Sequence, residues 1–181
     1  MKNRFLTILV CIFAFSTANA VEIVRYVAEG GTGDGLSKES PTGNLKAVLE
    51  MSYKVDKVTI YAEPGYFSVP LVENPDGRPT YKNVYLYGGG ESEIADVKDK
   101  TVIEGDLAIK NGIVCNIEFV GADYKDKFGH RMVGSLRTSG CNVYFSLASI
   151  LEFEAVPSYH NQIYGFKGKS LYVKRDEYSI Y

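Results

Sequence analysis

The chain predicts an all-β fold: a right-handed parallel β-helix of about five coils with a short N-terminal capping helix. Three observations carry that expectation. A four-residue apolar phrase recurs five times, as Val58–Tyr61, Val84–Tyr87, Ile117–Val120, Val143–Ser146 and Leu171–Lys174. The polar residues just before these phrases (Lys57, Asn83, Asn116, Asn142 and Ser170) are 26, 33, 26 and 28 positions apart, a range typical of stacked repeat architectures. In every phrase the first and third residues are apolar, so they share one side of a strand while the second and fourth face outward. The 14 Tyr, 9 Phe and 18 Gly suit strands and tight turns. An antiparallel sandwich would also alternate, but it gives no reason for one phrase to return at one interval.

The elements follow in order. Lys2 and Arg4 precede an apolar run from Phe5 to Phe15, and Ser16-Thr17-Ala18-Asn19-Ala20 ends in a small-x-small step. This is the layout of a secretory signal peptide cleaved after Ala20. The run is shorter than the ~20 residues a membrane span needs, and Val10 before Cys11 does not fit a lipid-anchor signal. Residues 1–20 are therefore expected to be a leader and 21–181 a single β-helix domain, with 21–56 as cap and 57–181 as coils. Export implies a periplasmic, cell-surface or extracellular protein. No second long apolar run predicts a membrane span. A net charge of −2 without a basic run excludes a nucleic-acid partner.

Arg25–Ala28 reads as a short strand. Gly30, Gly31, Gly33 and Gly35 then form a loop whose spacing fits neither a dinucleotide fingerprint nor a calcium-binding nonapeptide, so it reads as a turn into the cap. Ser40–Asn44 is helix-start chemistry, and Leu45, Val48, Leu49 and Ser52 at helical spacing predict one amphipathic helix over 44–53. Such a helix would lie over the first coil. From there to the end only β-type alternation appears. Asn83, Asn116 and Asn142 share one turn position in this reading, a ladder of residues that tolerate left-handed backbone angles. Weaker apolar fragments (Val102-Ile103, Leu107–Ile109, Met132-Val133, Leu136, Ile163, Phe166) fill the rest of each coil. The segment after Val173 is a thin cap, which leaves self-association through the C-terminal coil open.

Several of these stretches resemble a known group. Tyr26-Val27, the loop Gly30–Ser37, Ser40-Pro41, Leu45, Ala47–Leu49, Val55-Asp56 and Val58–Phe67 are similar to the opening of exported bacterial right-handed β-helix proteins of the pectate-lyase-like superfamily. Thr101–Gly105 and Ile117–Gly121 resemble their internal coils. The resemblance implies the fold. It leaves activity open, because lyases, hydrolases and adhesins share this opening. Lyases of the group place acidic calcium ligands beside a Lys or Arg that removes the proton α to a uronate carboxylate. Calcium is expected here only if that alternative holds. The chain has neither their Arg-x-Pro-x-x-Arg pattern nor the Asp pairs and Gly-His-Gly of the polygalacturonase type; Gly129-His130-Arg131 is not that motif.

The candidate site residues are outward-facing. One row is expected to run Thr59, Tyr85, Glu118, Tyr144, Tyr172, and its neighbour Tyr61, Tyr87, Val120, Ser146, Lys174. Tyr61, Tyr85, Tyr87, Tyr144 and Tyr172 would offer flat apolar surface with polar tips to a glycan or a protein. Three charged excursions, Glu91–Lys100, Ala122–Arg131 and Ser149–Asn161, are expected side by side. Cys115 and Cys141, 26 apart, are expected at one inward position on consecutive coils, either as a disulfide or as stacked free thiols. No catalytic set and no metal site is predicted. The expected function is non-catalytic binding of a glycan or protein along the tyrosine face. The alternatives are a small polysaccharide lyase acting on uronate glycans and a structural assembly module.

Overall fold

A computed structural model describes residues 20–69, 79–125, 129, 131–148, 151–155, 162–164, 167–168 and 171–175. Residues 1–19, with Cys11, lie outside them, as do Asp126, Lys127 and His130.

The chain is mostly parallel β-structure that does not close into a barrel. The larger sheet begins with β1 (Glu22–Val27), then β2 (Lys57–Ala62), β5 (Val84–Gly88), β7 (Leu107–Cys115), β11 (Leu136–Tyr144), β13 (Leu151–Ala155) and β16 (Leu171–Arg175). Two short strands complete it: β4 (Thr80–Lys82) pairs with the first half of β7, and β14 (Gln162–Tyr164) with the second half of β11. The second sheet runs β3 (Gly65–Ser68), β6 (Thr101–Gly105), β8 (Ile117–Gly121), β12 (Leu147–Ala148), β15 (Lys167–Gly168). Every pairing in both sheets is parallel. Outside these sheets, β9 (Asp123–Lys125) and β10 (Arg131–Val133) form an antiparallel hairpin.

Parity puts the apolar residues inside. Ile60, Leu86, Val114 and Val143 align across four strands and are all fully buried. Phe67, Ile103, Phe119 and Ala148 do the same in the second sheet. Each such Val, Leu, Ile or Phe contributes roughly 1.5–3 kcal/mol by leaving water. A second inner row reads Val58, Val84, Gly112, Cys141. Gly112 is required there, because a Cβ would stand 2.0 Å from the Val84 carbonyl oxygen.

The single expected column is corrected. Val58–Tyr61, Val84–Tyr87 and, of the fourth phrase, Val143 and Tyr144 do lie in the larger sheet, whereas Phe145 and Ser146 fall at the corner beyond it; the level between Val84–Tyr87 and Val143-Tyr144 is filled by Gly112–Cys115. Ile117–Val120 instead pairs with Thr101–Glu104 in the second sheet. Leu171–Lys174 pairs with Leu151–Glu154, in the half of the larger sheet that holds β4. All these segments share a period of two, so parity alone cannot assign them to a sheet. The corners between strands do so. Asn83 (φ 52°), Asn111 (φ 55°) and Gly140 (φ 62°) align at one corner, where β4 gives way to β5 and where β7 and β11 bend. Asn116 (φ 56°) and Phe145 (φ 47°) align at the next. The expected ladder of Asn83, Asn116 and Asn142 is therefore not formed, and Asn142 is a strand residue opposite Ile113.

The helix forms where expected. The Asn44 side chain accepts from the Ala47 amide at 2.9 Å, α1 spans Leu45–Glu50, and a 3₁₀ turn, Met51–Tyr53, completes it. Leu45, Val48 and Leu49 are buried in the core. The glycine loop covers the outer edge of β1: Tyr26 N–H donates to Gly35 O (2.9 Å), while Tyr26 O and Thr42 O accept from Thr42 N–H (3.0 Å) and Ala28 N–H (3.1 Å). Those bonds occupy backbone groups that an open strand edge would present to another chain.

Candidate functional site

The outward residues of β2 and β5 define the candidate surface. Register aligns Tyr26, Tyr61, Tyr87, Cys115, Tyr144 and Tyr164. The rings of Tyr26 and Tyr61 are 5.4 Å apart between centroids and tilted by 41°, and those of Tyr61 and Tyr87 are 5.5 Å apart and tilted by 33°. These are favourable aromatic contacts. Tyr26, Tyr61, Tyr87 and Tyr144 are all half-buried. Burial pushes the Tyr87 phenol above its ordinary pKa, and the neighbouring Tyr61, Cys115, Tyr85 and Tyr144 add to the effect.

The adjoining row is Val24, Thr59, Tyr85, Ile113, Asn142, Gln162. Lys57 Nζ stands 4.8 Å from the Tyr85 ring centroid and 3.1 Å from Glu22 Oε2. One aromatic row is thus flanked by one cation, whose charge already has a carboxylate partner.

Tyr61, Tyr85 and Tyr87 come together as expected. Tyr144 lies in the row of Tyr87 rather than that of Tyr85, one strand beyond Cys115. Tyr172 is not part of the surface: it aligns with Glu152 in the half of the sheet that holds β4. Glu118 aligns with Val102 and Leu147 in the second sheet. Sequence reasoning missed Tyr26 and Tyr164. The first belonged to a strand given no register, and the second to the short Gln162-Ile163-Tyr164 alternation.

The two cysteines are not stacked. Cys115 aligns with Tyr87 and Tyr144 on the outward row, whereas Cys141 aligns with Gly112 on an inward one. Neither is part of a disulfide. Their 26-residue spacing misleads because Cys115 on β7 aligns with Tyr144 on β11, three positions beyond Cys141. Cys141 is fully buried, its Sγ is 3.3 Å from Ile109 O and 3.4 Å from Ser139 O, and burial pushes its pKa to about 11. Cys115 is 1% exposed although it is on the outer row. The excursion 91–100 supplies its cover: burial raises the thiol pKa, and the Ala95 backbone hydrogen-bonds it.

Lys100 staples that excursion down. Its ammonium donates to Asn116 Oδ1 (2.6 Å) and Phe145 O (2.8 Å) and pairs with Asp96 Oδ1 (3.3 Å). The first two acceptors are on the corner residues with positive φ. A bulky residue such as Phe145 rarely adopts that conformation, so the donor to its carbonyl helps hold the corner.

The charged excursions do not lie side by side. The first joins β5 to β6, the second contains the β9–β10 hairpin between β8 and β11, and the third contains β13 itself. The first two thus join different pairs of strands, and of the third only Leu151–Ala155 is among the described residues; His160 lies outside them. Among the described residues no group of three or more His, Cys, Asp or Glu could hold a metal ion, and no helix is long and apolar enough to cross a membrane.

No protein-family model, curated protein or solved structure matches the chain.

Proposed function

We propose that the chain is an exported right-handed parallel β-helix that binds an extended, uncharged glycan along its tyrosine row, without catalysis. The observation that carries the reading is the aligned set Tyr26, Tyr61 and Tyr87, with ring centroids 5.4 and 5.5 Å apart. Half-buried tyrosines combine an apolar body with a hydroxyl at the tip. That pairing suits sugar rings, which offer both C–H faces and hydroxyl groups. The Lys57 ammonium over the Tyr85 ring is paired with Glu22, and so among the described residues this surface favours a neutral ligand over an acidic one.

The coil reading is supported by the order in which the chain visits its strands. From β2 it passes to β3 and β4. It then runs through β5, β6 and the first half of β7. The second half of β7, β8 and the first half of β11 come next, followed by the rest of β11, β12 and β13, and finally β14, β15 and β16. The order of stations repeats in each circuit, in keeping with about five coils.

Affinity electrophoresis through gels containing neutral polysaccharides tests the binding reading. At least one polysaccharide should retard the wild-type protein. Tyr61→Ala and Tyr87→Ala, each still folded by circular dichroism, should migrate without retardation. Loss of an aromatic stacking contact costs ~0.5–1.5 kcal/mol, several-fold in affinity. Free migration of the wild type in every gel, or equal retardation of both variants, would overturn the reading.

A further inference from the structure

We propose that Val21 is the first residue of the exported protein and that its newly freed α-ammonium docks on Asp56, fastening β1 to β2. The inference rests on the export reading of residues 1–20 and is independent of the tyrosine row.

The geometry is that of a receptor for a chain terminus. Val21 N–H donates to Asp56 Oδ2 at 2.7 Å. Val21 O accepts from the Asp56 N–H at 2.9 Å and from the Lys57 N–H at 3.3 Å. Both backbone polar groups of Val21 are therefore held by Asp56, which precedes β2, and Lys57, which opens it. Ala20 is exposed and Val21 is 53% exposed, so the bond between them is accessible. The small-x-small step Ala18-Asn19-Ala20 ends at that same bond.

Cleavage changes the chemistry at this spot. An exported-protein signal peptidase adds water across the Ala20–Val21 peptide bond. The C–N bond breaks, the water oxygen joins the Ala20 carbonyl carbon, which leaves as a carboxylate, and the Val21 nitrogen takes up both hydrogens of the water and becomes an ammonium. A neutral amide donor facing Asp56 is thereby replaced by a cation facing an anion, and charge-assisted hydrogen bonds are the stronger kind. One residue further along, Glu22 Oε2 pairs with Lys57 Nζ at 3.1 Å. Two ion pairs of opposite sense would then join β1 and β2 side by side. Because Tyr26 lies on β1, the clamp also fixes the strand that begins the tyrosine row.

Two measurements test this. The intact mass of the protein recovered after export of the full chain should correspond to a chain starting at Val21. Thermal unfolding should then compare a chain starting at Val21 with one carrying an extra Met ahead of it, each with and without Asp56→Asn. The extra residue restores a neutral amide at Val21 and displaces the charge. It should lower the midpoint by about 1–3 °C, the size expected of an exposed ion pair in a chain of this length. In the Asp56→Asn background the extra Met should change nothing. A mature chain starting at another residue, or an equal shift in both backgrounds, would overturn the proposal.

Discussion

The inner row Val58, Val84, Gly112, Cys141 and the outer row Tyr26, Tyr61, Tyr87, Cys115, Tyr144 belong to opposite faces of the same strands. Each holds one of the two cysteines of the described fold, and both are buried and outside any disulfide. The causes of burial differ. Cys141 is covered because its row faces the interior of the stack. Cys115 is covered because one excursion, stapled by Lys100, folds back over a row that is otherwise half-exposed. The inner row is therefore constrained by volume, and the outer row by an attachment. A binding surface needs the second arrangement, since only an outer row can present tyrosines.

The volume constraint is most severe at Gly112. Adjacent strands approach so closely there that a Cβ would stand 2.0 Å from the Val84 carbonyl oxygen, a backbone atom that cannot swing aside. Gly112→Val should destabilise the fold by about 3 kcal/mol, the upper end of the usual overpacking cost. Urea unfolding measures it. A midpoint within error of the wild type would mean that the inner row tolerates volume and that the contrast between the rows is wrong.

The second effect is a pH dependence to which the inner thiol contributes. Burial moves Cys141 from the ordinary thiol value of 9.0 to about 11. The neutral form carries the proton, so below pH 9 both native and unfolded chains are protonated and stability does not change. Between pH 9 and 11 the unfolded chain releases the proton while the native one keeps it. Stability therefore falls across that window, by roughly 2–3 kcal/mol for a shift of this size. Tyr81, raised to about 12 by burial, adds a further fall that starts from pH 10 in any variant. Cys141→Ala should remove most of the fall between pH 9 and 11, keep the part due to Cys115, whose thiol burial also raises, and leave the Tyr81 part. Identical slopes in the two proteins would place the titration elsewhere.

The contrast between the rows was half legible in the sequence. Parity was readable, because Val58/Ile60 and Val84/Leu86 alternate with Thr59/Tyr61 and Tyr85/Tyr87, and burial follows that alternation. The helix start was readable from Asn44 and the spacing of Leu45, Val48 and Leu49. Register was not. A period of two is identical in every strand, and the sheet to which a phrase belongs is set by single-residue corners. Asn83, Asn111, Asn116 and Gly140 are residue types that advertise a left-handed conformation. Phe145 is not, and its corner depends on a lysine 45 positions away. The cover over Cys115 was hidden for the same reason: no local pattern links the charged stretch 91–100 to a position on β7.

That hidden attachment gives the smallest of the three effects and the most direct probe of the outer row. Lys100→Met keeps much of the aliphatic stem but removes the ammonium that meets Asn116 Oδ1, Phe145 O and Asp96. Two acceptors that are shielded in the wild type lose their donor, at a cost of about 1–2 kcal/mol. The loss is local to the excursion and its corner, so it lowers the free energy of local opening more than that of any other segment. Cys115 should then react with iodoacetamide about 10-fold faster than in the wild type, since 1.4 kcal/mol corresponds to a factor of ten. Cys141 should keep its slow rate, because nothing that covers it has changed. Mass mapping of the labelled peptides separates the two sites. Equal acceleration at both would mean that Lys100 supports the whole fold. Unchanged labelling at Cys115 would mean that the excursion holds without its staple. In either case the outer thiol would be buried as the inner one is, and the distinction between the rows would fail.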